Sequence, residues 1–340
     1  MTTPSARLSR ARHLLRTGAL PAAVAAAAAA AVGLIAAPVA GGATTTIIGA
    51  LEARGTIAQH NGLVVVTQLG EHGRATLAVG GKFGAPRAIK THALPPWGQP
   101  HVGTSEIGTT VIVYPHCYRA AFTTCNLFAF DVTTGTDTQL RGEASRRGSA
   151  EIEGDMDRGA LAIARWHGAR APAVPVTGGL AQGTTELLYQ PFGKPARALA
   201  EPGGQQIDLD RGRIAQVRRL EPDAKGCRAA TIELVDTRGG VRRVARRPCA
   251  GRQALLAPTL LGRDLVWGLR TDTASWLYRA PVRGADDVVR APTGPFSFIA
   301  PSGPNTAFQI RGDTTPALGS DPARLLSPWT FTLPEELPLR

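Results

Sequence analysis

Gln206-Ile207-Asp208-Leu209-Asp210-Arg211-Gly212-Arg213-Ile214-Ala215-Gln216-Val217 sets two apolar stretches on either side of an Asp-Arg-Gly turn. Further on, residues 229–236 alternate apolar and polar positions, Thr237-Arg238-Gly239-Gly240 reverses the chain, and residues 241–247 run on beyond it. Alternation at period two, punctuated by turn glycines, reads as a meander of four short antiparallel strands: a over 206–209, b over 213–219, c over 229–236 and d over 241–247.

The same turn glycine recurs along the chain. Asn61-Gly62 precedes Leu63-Val64-Val65-Val66, Gly108 precedes Val111-Ile112-Val113, and Arg158-Gly159 precedes Leu161-Ala162-Ile163. Gly262 precedes Leu265-Val266-Trp267, and Ser302-Gly303 precedes Ala307-Phe308-Gln309-Ile310, so that the six positions lie 46, 51, 53, 50 and 41 residues apart. A β pattern repeating on this scale predicts propeller blades of four strands each, whose apolar faces are buried only between neighbours. The expected fold is therefore all-β, a six-bladed β-propeller of four-stranded antiparallel blades preceded by a signal peptide. The blades fall at approximately 53–97, 98–148, 149–204, 205–256, 257–295 and 296–335. In the last, c and d are expected at 324–326 and 329–333. Residues 45–51, Thr-Thr-Ile-Ile-Gly-Ala-Leu, are a candidate ring-closing strand.

Composition agrees. Of 340 residues, 39 are Gly and 26 are Pro, which disfavours long helices, while 43% hydrophobic content suffices for a core. Arg7, Arg10, Arg12 and Arg16 precede an Ala-rich stretch without a charge until Glu52, which reads as an export signal cleaved after about Ala43. An uncleaved anchor is the alternative, but Ala contributes little transfer energy and Pro21 and Pro38 bracket the run. The chain is thus expected to be secreted, periplasmic or cell-surface, without a stable membrane span after cleavage, and monomeric. Residues 1–43 carry four Arg and no acid, so their loss lowers the formal charge from +12 to about +8. Ten Arg between Arg211 and Arg247 resemble a phosphate-binding strip, yet interleaved Asp and Glu favour a solvated edge strand whose charges block pairing. Export and an aromatic content of 5% also argue against nucleic acid as partner. In an oxidising compartment the four cysteines read as disulfides, Cys117 with Cys125 and Cys227 with Cys249, each pair lying within one hairpin of the blade reading.

Ile207-Asp208-Leu209-Asp210-Arg211-Gly212-Arg213-Ile214-Ala215, followed by Ile232-Glu233-Leu234-Val235-Asp236-Thr237-Arg238-Gly239-Gly240, resembles blades of TolB-type propellers, a likeness that extends over the chain through its period. The family's Ser-Pro-Asp-Gly turn is degenerate here, appearing as Asp-Arg-Gly and as Pro301-Ser302-Gly303. The resemblance implies six blades, an exported or periplasmic location and a role in binding proteins or envelope components.

No Gly-x-Ser-x-Gly elbow, His-Glu-x-x-His, phosphate loop or EF-hand loop occurs, and no catalytic residue, metal ligand or cofactor is assigned. Glu153, Asp155 and Asp157 have metal-like spacing but read better as structural acids. Five histidines, His72, His92, His101, His116 and His167, fall in or beside the b–c and d–a loops, which emerge on one face of a propeller, and His60 lies elsewhere. Together with Trp97, Tyr114 and Tyr118 they suggest a pocket at one end of the ring, with His92, Trp97, His101, Tyr114 and His116 as the candidate ligand-binding residues. The favoured function is a non-enzymatic binding platform for a protein or cell-envelope ligand. The alternative is a hydrolase or lyase with a histidine-based site on that loop face, assisted by a divalent metal, and it requires three of those histidines to converge.

Overall fold

The computed structural model describes residues 46–47 and 51–52, most of 56–310, and 325–326 with 328–332. The described residues belong to the unit Ala40–Arg340, and the expected signal segment 1–43, Trp97, His72, Cys227 and Cys249 lie outside them. Apart from one short 3-10 turn at Gly142–Ser145, every regular element among them is a strand.

Successive meanders follow the repeat. The first is β3 (Ile57–His60), β4 (Leu63–Leu69), β5 (Ala75–Gly81) and β6 (Arg87–Ala88). The second is β7 (His101–Thr104), β8 (Thr110–Cys117), β9 (Cys125–Asp131) and β10 (Thr136–Gln139), and the third β11 (Ala150–Asp157), β12 (Ala160–His167), β13 (Thr184–Gln190) and β14 (Arg197–Ala200). A single parallel bridge, Ala150 to Cys125, links these two. The fourth is β15 (Gly204–Asp210), β16 (Arg213–Pro222), β17 (Arg228–Asp236) and β18 (Val241–Arg247), and the fifth β19 (Ala254–Leu261), β20 (Asp264–Arg270), β21 (Ser275–Pro281) and β22 (Val289–Thr293). Arg-rich β18 is the outer edge of its sheet, as its charges predict.

The last unit departs from the sequence expectation. β23 (Phe298–Gly303) and β24 (Thr306–Ile310) pair in the usual way, but the third strand is β26 (Pro328–Thr332), and the outermost is β1 (Thr46–Ile47), in register Thr46 to Thr330 and Ile47 to Trp329. β25 (Leu325–Leu326) pairs instead with β2 (Leu51–Glu52). An N-terminal strand supplying the outer position leaves the C-terminal segment only three strands to provide, so 324–326 is not the third strand of this blade. The innermost strands β3, β7, β11, β15, β19 and β23 each touch the next, and β23 touches β3, so the ring closes.

The core lies between blades, because the inner strands bury both faces while outer strands such as β10 stay exposed. In β8, Ile112 and Tyr114 pack against Val65 and Leu77 of the first blade, whereas Val111 and Val113 pack against Leu161 and Ile163 of the third. Trp267, stacked on Tyr278 at 5.4 Å, anchors the contact with Ile232 and Leu234 between blades four and five. Each such aliphatic side chain contributes about 1.5–3 kcal/mol on burial. The Cys117–Cys125 disulfide joins the end of β8 to the start of β9, where the two residues are register partners.

Candidate functional site

The expected imidazole pocket divides in two. On the outer part of the second blade His92, His116, Tyr114 and Phe128 come together, with His92 and His116 ring centroids 5.1 Å apart and His92 and Phe128 4.4 Å apart. Asp137 of β10 organises the group: its Oδ2 accepts from Tyr114 OH at 2.6 Å and from His92 N at 3.0 Å, and lies 2.8 Å from His92 Nδ1. His116 Nδ1 lies 2.7 Å from the carbonyl of Ala93. Acceptors at both Nδ1 positions place the proton there and leave each Nε2 as the basic nitrogen. Burial holds the His116 imidazole below its ordinary pKa, and burial with the Asp137 hydrogen bond holds the Tyr114 hydroxyl far above its own. Tyr118 caps His116 edge-on at 4.9 Å. The blade register brings β8, β9 and β10 side by side here, whereas the loop reading alone missed Phe128 and Asp137, which sit on strands.

His101 is elsewhere. It opens β7, is buried, and its Nε2 lies 2.7 Å from Glu153 Oε1 on the next inner strand. His167, at the end of β12, pairs with Glu186 at 3.2 Å. Among the described residues, then, two of the four loop histidines meet, and no group of three or more His, Cys, Asp or Glu could hold a metal ion.

The ring interior follows a rule that the sequence reading missed. Strands β15 and β19 each carry a register irregularity, and the backbone N–H groups of Gln206, Ile207 and Ala257 within them turn toward the preceding blade, as do those of Leu209 and Leu260 further along. Side chains of the preceding inner strand accept them. Glu153 takes the N–H of Gln206 through Oε2 at 2.7 Å and that of Ile207 through Oε1 at 2.8 Å. Asp155 takes Leu209 N–H at 2.6 Å, and Asp157 takes Arg211 N–H at 2.8 Å. One blade on, the Gln206 side-chain oxygen takes Ala257 N–H and Asp208 takes Leu260 N–H, both at 2.6 Å. These pairs are 51 to 54 residues apart, one repeat, so equivalent positions of adjacent blades clasp each other. The available signal was the alternation Glu153, Asp155, Asp157 on one inner strand.

These acids are buried close to one another. Burial pushes the Asp155 carboxyl up to about 6, and burial together with the charge of Asp155 raises Asp208 well above the carboxylate range. Burial by itself would lower the His101 imidazole, but the hydrogen bond and charge of Glu153 override it and raise its pKa.

At the opposite end from the imidazole loops, the turns joining first and second strands surround a pocket of about 370 Å³ between blades three and four. Arg158 and Arg211 lie on its rim, Asp157 in its wall, and Tyr189, Leu209 and Ala160 form its apolar side. Arg158-Gly159 and Arg211-Gly212 both have two successive positive φ angles, 50° and 75° and then 49° and 72°, as in the tight hairpin turns that match strand twist. These turns hold the two arginines at equivalent positions, with side chains 72% and 63% exposed. Their nearest carboxylates, Asp157 at 3.9 Å and Asp210 at 3.6 Å, are too distant for good hydrogen bonds, and the guanidinium donors face solvent. Exposed Phe192 and Glu106 both approach Gly159, and exposed Ile107 neighbours Glu106, so apolar surface continues beside the pocket.

Known structures share this architecture. Two structures of the fucose-specific lectin from Aleuria aurantia, one of them described as a six-bladed β-propeller, match with TM-scores 0.49 and 0.50 and 10% identity over 76% of this chain and 88% of that one. The aldose sugar dehydrogenase from Streptomyces coelicolor matches with TM-score 0.48 and 11% identity over 86% and 98%. A putative TolB from Agrobacterium tumefaciens covers 54% of this chain and 61% of its own, with TM-score 0.33 and 15% identity. Identities this low concern the fold alone, and the chain is a β-propeller. No family model and no curated protein matches it.

Proposed function

We propose that this chain is an exported, six-bladed propeller of TolB type that acts as a non-enzymatic binding platform for a cell-envelope ligand, and that the turn face of blades three and four is its binding surface. The observation that carries this reading is the contrast between two sets of ionisable groups. The interior acids Glu153, Asp155 and Asp208 are engaged with the backbone of the neighbouring blade, while Arg158 and Arg211 stand in solvent around an open, partly apolar pocket. Solvent-facing donors beside apolar surface suit ligand capture. Export is supported by the basic, then Ala-rich, N-terminus and by the Cys117–Cys125 disulfide, and among the described residues no helix is long and apolar enough to cross a membrane.

The test is sedimentation of the exported protein with isolated cell-envelope material. Saturable retention that is lost on replacing both Arg158 and Arg211 supports the reading, and no saturable retention overturns it. A second reading, a hydrolase or lyase, is favoured by one observation: the His92–Asp137 pair, in which Nδ1 is engaged and Nε2 is left as a base. That reading requires turnover of an envelope-derived substrate that disappears in His92→Ala while retention on envelope material persists.

A further inference from the structure

The lining of the turn-face pocket carries both signs of charge. Arg158 and Arg211 bring two guanidiniums, each with planar donors suited to a carboxylate or phosphate. They do not stand in a simply cationic basin, since Asp157 lines the same pocket and Asp210 adjoins Arg211. Burial raises the Asp210 carboxyl, the charge of Asp157 adds to this, and Arg211, Arg213 and Arg158 oppose it. Asp157 is held rigidly, with Oδ2 accepting Arg211 N–H at 2.8 Å and Oδ1 accepting Thr104 Oγ1 at 3.3 Å, so it offers its remaining lone pairs from a fixed position. Tyr189, half-buried against the core between blades three and four, supplies a flat apolar wall. A volume of about 370 Å³ is at the small end for ligand pockets and fits one six-membered ring with its substituents.

A ligand complementary to this set carries a single negative charge for the guanidiniums, hydroxyl donors for Asp157, and a C–H face for Tyr189. A phosphate dianion meets the arginines equally well but is repelled by Asp157, and a neutral sugar leaves both guanidiniums without a partner. We infer that the pocket between blades three and four binds a sugar acid, a pyranose bearing a carboxylate, as a free monosaccharide or at the end of an acidic polysaccharide. This inference rests on the turn face being the binding surface.

Calorimetric titration of the exported protein with D-glucuronate, D-galacturonate, a galacturonate oligomer, glucose and glucose 6-phosphate tests it. Asn tolerates positive φ, and Asn-Gly favours this turn, so Arg158→Asn and Arg211→Asn remove a guanidinium and keep the hairpin, with unchanged circular dichroism as the control. The expected result is saturable binding of a uronate at least about tenfold tighter than glucose or glucose 6-phosphate, weakened about tenfold or more by either Arg→Asn change. Stronger binding of the oligomer than of the monomers assigns a polymer end as the source; equal binding assigns the free acid. Binding of glucose 6-phosphate as tight as that of the uronates overturns the inference in favour of a general anion site. Failure of every uronate also overturns it, and leaves the platform standing if Arg-dependent retention on envelope material persists.

Discussion

Replacing Glu153 by Ala should weaken the ring where it is most tightly clasped. Three buried donors lose their acceptor together: Gln206 N–H at 2.7 Å, Ile207 N–H at 2.8 Å and the His101 imidazole at 2.7 Å. A buried donor without a partner costs about 1–3 kcal/mol. Removing one buried carboxylate and admitting water both offset part of this, so the expected loss is about 4 kcal/mol, a large share of the about 5–15 kcal/mol typical of a folded domain. Equilibrium urea unfolding at pH 7, followed by tryptophan fluorescence, should show the midpoint moved down by about 1–2 M at a slope near 3 kcal/mol/M. Glu186→Ala, which removes a half-exposed acid bonded to His167 at 3.2 Å, should cost less than about 1 kcal/mol and serves as control. A loss at Glu153 no larger than at Glu186 would refute the clasp as a source of stability.

Lowering the pH from 8 towards 5 should stabilise the protein, the raised interior groups Asp155, Asp208 and His101 outweighing His60 and His116, whose imidazoles burial lowers and whose sign below 6.5 is opposite. Asp155, raised to about 6, and Asp208, also raised, bind more protons when folded than unfolded, so their destabilising contribution grows as pH rises from about 3.8 through their folded values. His101, raised above 6.5, has the same sign: its contribution is complete below 6.5 and is lost as pH rises through its folded value. A melting temperature higher at pH 5.5 than at pH 8 is expected, and Asp155→Asn should flatten the profile. Gly103→Ala drives a methyl group into the carbonyl oxygen of Met156, which is backbone and does not yield cheaply, so a loss of about 3 kcal/mol in chemical unfolding is expected. Reducing Cys117–Cys125, whose partners are 8 residues apart, should cost about 2–3 kcal/mol by loop entropy, measured as a shift in urea midpoint. Deleting residues up to Glu52 removes the outer strand of the last blade and should expose the edge of β26, detected as faster amide exchange at Trp329 and Thr330.

Fold was legible where local chemistry repeats. Asp210-Arg211-Gly212 and Arg158-Gly159 announce tight turns because both residues of each Arg-Gly pair take positive φ, and the alternation at 229–236 reports a strand paired between two neighbours. The strand boundaries around Val241–Arg247 were readable to the residue. The order of the last blade was not, since nothing local distinguishes Leu325–Leu326 from Pro328–Thr332 as partner of β24; ring closure over nearly three hundred residues decides it. The same limit governs the sites. Tyr114 and His116 lie two apart on one strand and point the same way, so their association was foreseeable, whereas Asp137 joins them only through the pairing of β10 with β9. His101 looks like a loop residue in the text, and only the register of adjacent inner strands, one repeat apart, sends it to Glu153.

The central claim, that the turn face of blades three and four binds the ligand, is tested most directly by nuclear magnetic resonance of the arginine Nε–Hε groups and the histidine imidazoles during titration with solubilised cell-envelope saccharide. The account predicts saturable shifts at Arg158 and Arg211, with His92 and His116 unmoved. Shifts confined to His92 and His116, or none at any saccharide concentration, would contradict it.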